Sequence, residues 1–294
     1  MKTKWIAGTT GVAAAVMMSS AAVATPITAD VVFLVDESGS MAGEHAWLST
    51  MIANLESGLT GANVGVSEAN RYSLVGFGGG GAHFAPNVHE MDGNDWGSSA
   101  QFAAAAGTLV TSGGTEDGWN ALDWAMSNLA YRSNAAVNFV LVTDEDRDNT
   151  NNTLNPADLK NRLSSFNALL NVVVSNPFSC DGAGAAIGVD SALDGFQADG
   201  VGGYTKCAGD GIVGNGAGTT ETDYVALALE SGGAAWNLNI LRDGGDNATS
   251  FTKSFVDTKV KEITEQPPVS VPEPGTLALL GMGLAGLVFR RRKS

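Results

Sequence analysis

The apolar positions of the chain change rhythm along its length. Ala29–Val35 closes in an unbroken run, Val31-Val32-Phe33-Leu34-Val35. A run without polar alternation fits a strand buried on both faces of a parallel sheet. Over residues 44–59 the pattern becomes helical, with Trp47, Leu48, Met51, Ile52, Leu55 and Leu59 on one face. Arg71–Phe77 predicts the next strand, followed by a loop over Gly78–Gly81. A short helix is expected over 98–109 and a stronger one over 116–131, with Trp119, Leu122, Ala125, Met126 and Leu129 inward. Residues 136–143 read as another buried strand. Pro156 suits the first turn of a helix reaching about Leu170, and Val172–Val174 as a short strand. Glu221–Ser231 reads as a helix stopped by Gly232-Gly233, Ala235–Leu241 as the last strand, and Thr249–Ile263 as a closing helix. Between them, residues 176–220 are Gly-rich and weakly periodic, and read as an insertion on the sheet rim.

Strands alternating with helices predict an α/β fold with a mostly parallel sheet. Such sheets bind ligands at the carboxyl ends of their strands. Three polar pieces fall there. Asp36-Glu37-Ser38-Gly39-Ser40 follows the first buried strand, Thr115 follows Gly113-Gly114 just before a helix, and Asp144 ends the strand over 136–143. Ser38, Ser40 and Thr115 offer neutral hydroxyls, and Asp36 and Asp144 offer carboxylates. That hard-oxygen set suits Mg²⁺, or Mn²⁺ in its place, with Ca²⁺ the weaker fit. Hydroxyl donors leave the ion underneutralised, so a partner's carboxylate binds well at an open position. Asp36 and Asp144 are candidates to act partly through waters.

Together, in this order, the three pieces resemble the metal-ion-dependent adhesion site of von Willebrand factor A (vWA) domains. The likeness extends over about residues 29–263, including Ala226-Leu227-Ala228-Leu229-Glu230-Ser231-Gly232-Gly233 and Ala234-Ala235-Trp236. It implies a Rossmann-like vWA fold, its central sheet flanked by helices on both faces, and metal-dependent adhesion or protein binding. Carried over residue by residue, the site is Asp36, Ser38, Ser40, Thr115 and Asp144. Glu145 departs from the pattern, which commonly has glycine there; it could crowd the metal or supply an internal carboxylate.

The two ends read as addresses. Residues 1–24 look like a signal peptide: Lys2 and Lys4 precede an apolar stretch, and Ala22-Val23-Ala24 is an A-x-A cleavage site. The vWA-like body would then occupy 25–265, and 266–274 would be a linker ending in Pro272, Glu273 and Pro274. Residues 275–294 hold an apolar segment, Thr276–Phe289, and the basic cluster Arg290-Arg291-Arg292-Lys293. This tail resembles the PEP-CTERM sorting signal of Gram-negative bacteria. The resemblance implies recognition by an exosortase-type enzyme, passage through the inner membrane, and a link to the cell surface, biofilm or extracellular matrix. An ordinary single-span anchor is the alternative. The basic cluster would stay cytoplasmic, leaving the body outside.

Charge narrows the partners. The net charge is −15, and six of the 16 Lys and Arg lie in those two ends. So acidic a body repels nucleic acid, which needs cations against phosphate. Cys180 and Cys207 would pair in an exported protein; the alternative is two free thiols. Their spacing matches no zinc motif.

Other signals are weaker. Asp144-Glu145-Asp146-Arg147-Asp148 alternates carboxylates, but an EF-hand would need Gly and Glu where Asn149 and Asn155 stand. A looser Ca²⁺ site or a solvated acidic loop remains. His45, His83 and His89 lack a ligand spacing and read as surface or loop residues. Ser38 lacks the surroundings of a nucleophile, and no nucleophile–base pair stands out, so an enzyme is not expected. Two functions remain: a binding module using the metal, and a structural matrix protein in which the metal only stabilises or is absent.

Overall fold

The computed structural model describes residues 28–182 and 184–266. The signal-like residues 1–24, Pro272–Pro274 and the apolar tail lie outside them. Among the described residues no helix is long and apolar enough to cross a membrane.

The unbroken apolar run forms β1 (Ala29–Asp36), buried along its whole length. It is followed by α1 (Ala42–Gly61), β2 (Arg71–Phe77), β3 (Asn87–Val88), α2 (Ser99–Ala106), α3 (Gly118–Asn128), β4 (Ala136–Val142), α4 (Pro156–Ser165) and β5 (Leu169–Val174). β1 pairs in parallel with β2 on one side and β4 on the other, and β5 continues beyond β4. Alternate β1 side chains serve two cores. Val31, Phe33 and Val35 pack with α1, α2 and a later helix carrying Phe251 and Phe255. Val32 and Leu34 pack with Trp119, Leu122 and Met126 of α3 and Leu159 and Leu163 of α4. Burial on both faces explains why the run shows no polar alternation.

Local capping fixes where the helices begin. Ser98 and Gln101 form a reciprocal capping box on α2, Asp117 accepts from the Asn120 amide at the start of α3, and Asn155 accepts from the Asp158 amide just before Pro156. Ser98→Ala should cost about 1 kcal/mol, readable as a lower urea midpoint with an unchanged slope.

Three expectations are corrected. First, α4 stops at Ser165 rather than near Leu170. Asn167 turns left-handed (φ 49°), the Ala168 amide bonds back to the Leu163 carbonyl at 2.8 Å, and the chain enters β5 three residues before Val172. Second, the weakly periodic insertion over residues 176–220 is built of short strands. These are β6 (Phe178–Cys180), β7 (Gly184–Ala186), β8 (Gly188–Asp190), β9 (Gly195–Ala198), β10 (Tyr204–Cys207) and β11 (Gly211–Val213). Strands of three or four residues are too short to display a period. β8, β9 and β10 extend the main sheet antiparallel, while β11, β6 and β7 make a small second sheet. The disulfide Cys180–Cys207, with Cα atoms 6.1 Å apart, ties β6 of the small sheet to β10 of the large one.

Third, the last strand is short. A π-helical turn (Thr220–Val225) leads into α5 (Ala226–Ser231), which ends at left-handed Gly232 (φ 94°). β12 (Ala234–Asn237) then pairs with β5 and β8. The Asn237 side chain accepts from the Asn239 amide at 3.0 Å and turns the next residues into α6 (Leu238–Arg242). The closing helix, α7, runs Gly245–Glu265. The nine-stranded order is β10-β9-β8-β12-β5-β4-β1-β2-β3, with β12, β5, β4, β1 and β2 parallel.

Candidate metal centre

The parallel strands β1, β2 and β4 all end on one rim, and the Asp-Ser-Ser, Gly-Gly-Thr and Thr-Asp pieces meet there. Asp36, the last residue of β1, is fully buried. Its Oδ1 accepts from the Ser38 amide at 2.7 Å and its Oδ2 from the Thr143 hydroxyl at 2.9 Å. Its backbone carbonyl meets His45 Nε2 at 2.8 Å. Burial pushes its carboxyl up to about 6, against the lowering effect of the Ser38 and Thr143 hydrogen bonds. The Asp36–Ser38 contact folds the loop back so that Ser38 Oγ and Ser40 Oγ lie 3.1 Å apart. Ser40 Oγ donates to Asp144 Oδ1 at 3.0 Å. Ser38, Ser40 and Asp144 thus present a continuous chain of oxygens.

Thr115 reaches this rim through two interlocked glycine loops. Gly79 and Gly113 form an isolated antiparallel bridge. Gly113 is left-handed (φ 105°), and a side chain on it would collide with the Gly78 carbonyl. Gly78 is left-handed as well (φ 75°); a Cβ there would stand 3.3 Å from both Asp36 Oδ1 and the Thr115 carbonyl. Glycine is required at both places for close backbone approach. The structure therefore brings the Thr115 backbone beside Asp36, while Ser38, Ser40 and Asp144 touch one another directly.

Glu116, absent from the sequence-derived set, sits beneath. It is fully buried, and among the described residues no well-formed hydrogen bond reaches either carboxylate oxygen, although the Ser38 hydroxyl lies close enough to favour the charged form. Burial, then the charges of Asp36, Glu145 and Asp148, push its carboxyl up to about 8, offset slightly by the Ser38 hydroxyl. A buried carboxylate so poorly satisfied is costly, and a cation held by the neighbouring oxygens would relieve it. The donor chemistry and this buried carboxylate fit a hard divalent ion.

Arg242 was also missed. It arrives from α6, and its Nη2 donates to Asp144 Oδ2 at 2.8 Å and to the Ser40 carbonyl at 3.3 Å. Its Nε donates to buried Glu44 at 2.5 Å. Glu145 is exposed, and its charge still reaches Glu116. The rest of the acidic loop is used internally. Asp146 accepts from the Thr219 amide, Asp148 from the Glu116 amide, and Arg147 pairs with buried Asp117 at 2.8 Å while lying over Trp119. This pins the loop after β4 and with it Asp144.

The histidines differ from their expected surface placement. His45 and His89 are buried, and His83 is partly so.

A mostly parallel sheet flanked by helices, with β1 ending in Asp-x-Ser-x-Ser beside the Gly-Gly-Thr and Thr-Asp turns, defines the α/β class of the fold. The chain carries a von Willebrand factor type A domain, matched over residues 30–175, and a PEP-CTERM protein-sorting motif, matched over residues 270–293. The sorting motif marks the chain for export through membrane-anchored, exosortase-type sorting in Gram-negative bacteria. No curated protein compared with the chain matches it. Among solved structures, proximal thread matrix protein 1 of the mussel byssus is similar at 16% identity, over 52% of this chain and 37% of that one, with a TM-score of 0.38. A structure of the same mussel protein with a zinc-occupied MIDAS motif is similar at 14% identity, with the same coverages and TM-score. The chain thus spans well under half the length of that protein.

Proposed function

We propose that the protein is an exported, non-enzymatic binding module that holds Mg²⁺ and through it engages a carboxylate of a protein or matrix partner. The observation that carries this reading is the contiguous oxygen chain of Ser38, Ser40 and Asp144, beside the buried carboxylate of Glu116, which no well-formed hydrogen bond reaches. Ser38, Ser40 and Thr115 would hold the ion through hydroxyls. Asp36 orients the loop and, with Asp144, supplies negative charge directly or through water. When bound, the ion would supply an electrophilic position for an incoming carboxylate. The sorting tail would carry the module through the inner membrane to the cell surface or extracellular matrix.

One contact favours a second reading, a structural matrix protein in which the cation is only stabilising or absent. Arg242 already neutralises Asp144, so the rim is partly satisfied by the protein itself.

Calorimetric titration of Mg²⁺ into the full chain in mild detergent, beside Asp36→Ala and Thr115→Ala, separates the two. Saturable binding weakened more than about 100-fold in both variants is the expected result, since even groups that only orient a ligand are worth about 10–100-fold. A parent chain that takes up no Mg²⁺ leaves the structural reading.

A further inference from the structure

Beside the oxygen rim lies a donor set of different chemistry. Glu37 stands between Asp36 and Ser38, but its side chain turns the other way, toward two histidines. Glu37 Oε2 is 3.0 Å from His83 Nδ1, and Glu37 Oε1 is 3.1 Å from His89 Nε2. One ligand atom from each of the three lies within 4.8 Å of the others. Glu37 is fully buried and His89 nearly so, whereas the His83 side chain is 31% exposed.

The hydrogen bonds around His89 decide what its inner nitrogen presents. Thr108 Oγ1 donates its single proton to the Ala105 carbonyl at 2.7 Å. It therefore accepts from His89 Nδ1–H at 2.8 Å. In the neutral ring the Nε2 lone pair then points at the Glu37 carboxylate, itself a lone-pair donor. Nε2 is buried, and its 3.1 Å contact with Glu37 lacks the geometry of a well-formed hydrogen bond. A proton on Nε2 or a metal ion must lie between the two atoms. A third Glu37 contact, from the Val110 amide to Oε1 at 2.8 Å, holds the carboxylate in place. β2 leaves room for this cluster by placing Gly76 against it: a Cβ there would collide with Glu37 Oε2 and stand 2.8 Å from His89 Nε2.

We propose that Glu37, His83 and His89 form a second metal site, separate from the oxygen rim, that takes a borderline transition-metal ion, Zn²⁺ by preference. Two imidazoles and a carboxylate select Zn²⁺ over Mg²⁺, which favours oxygen. Ligand atoms held at 2.0–2.1 Å around a tetrahedral ion lie about 3.3 Å apart; each Glu37 oxygen stands near that separation from one histidine, at 3.0 and 3.1 Å, and one ligand atom from each residue lies within 4.8 Å of the others. The Thr108 contact is the kind of outer hydrogen bond that orients a metal-binding histidine. Three protein ligands leave a fourth position, on the exposed His83 side. The ion would fasten the segment around His83 and His89 to the loop that carries Ser38 and Ser40. This inference stands on its own donor set and does not depend on Mg²⁺ binding at the rim.

Co²⁺ is the probe, because its visible absorption reports nitrogen and oxygen ligands in a low-coordinate site. The full chain in mild detergent, stripped with chelator, is titrated with Co²⁺ and then with Zn²⁺ in competition. One equivalent of absorbing Co²⁺, displaced by Zn²⁺, is expected in the parent chain and in Thr115→Ala. Affinity should fall more than about 100-fold in His89→Ala and in His83→Ala. The half-exposed His83 variant keeps the test open if the buried one fails to fold. The proposal is overturned if the folded parent takes up no Co²⁺, which makes the Glu37–His89 contact a proton-bridged pair. It is equally overturned if both histidine variants bind as the parent does, or if binding is lost in Thr115→Ala alone.

Discussion

Replacing Glu116 by Gln should stabilise the metal-free protein by roughly 2–4 kcal/mol at pH 8. The substitution keeps the volume of a fully buried side chain and removes a titrating carboxyl that no well-formed hydrogen bond reaches. The sign of the pH dependence follows from the direction of the shift. In the unfolded chain this carboxyl loses its proton near 4.5, and in the folded protein only near 8. Its contribution to stability is therefore fully present below about pH 4.5 and drains away as the pH rises to 8. Asp36 acts in the same direction over a narrower range, from 3.8 to about 6. Urea midpoints measured from pH 5 to 8 should fall steeply for the parent and much less for Glu116→Gln. Mg²⁺ added at pH 8 should recover more stability in the parent, because the cation stabilises the anionic site. Equal pH slopes in the two proteins would mean that Glu116 finds a partner in solution.

Arg242→Met should move stability and cation affinity in opposite directions. The guanidinium bridges Glu44, whose side chain is 2% exposed, and Asp144. Removing one partner of a buried ion pair costs about 3–5 kcal/mol. Arg242 is itself a third exposed, so solvent screening reduces the expected loss to about 2–3 kcal/mol. Asp144 is released at the same time and a positive charge leaves the rim, so Mg²⁺ should bind about tenfold more tightly. Melting curves and calorimetry on the same sample read both effects. Weaker Mg²⁺ binding in the variant would show that Arg242 supports the oxygen chain rather than competing for it.

Much of this was legible in the sequence where one physical cause dominates. The doubly buried strands β1 and β4 announce themselves as unbroken apolar runs, and Asn155-Pro156 marks the start of α4. The pattern misleads where a single side chain overrides it. Trp236-Asn237-Leu238-Asn239-Ile240 alternates like a strand, yet the Asn237 cap turns its second half into a helix, and that turn delivers Arg242 to the rim. The site residues that follow strands in sequence were readable because the fold places every such loop on one edge. Glu116 adjoins Thr115, so its position was visible while its burial was not. Arg242, His83 and His89 carry no local signal. Their partners lie far away in the chain, and the pairing of β2 with β3 buries His89.

The last described residue, Gln266, gives the molecule a direction. Its side chain donates to the Val137 carbonyl and accepts from Asn138, near the start of β4, whereas Asp144 lies just past that strand's other end. The tail therefore leaves one pole of the sheet and the oxygen rim occupies the opposite pole, about 20 Å away along seven residues of strand. Tension between a tethered tail and a partner gripped at the rim would run lengthwise through the molecule. It would meet α7 first, which can peel away from α1 turn by turn beginning at Gln266. β1, laddered on both sides, would be loaded in shear and could yield only by losing many hydrogen bonds at once. Under the proposed function, a pull in this direction would unzip a helix before it sheared the sheet.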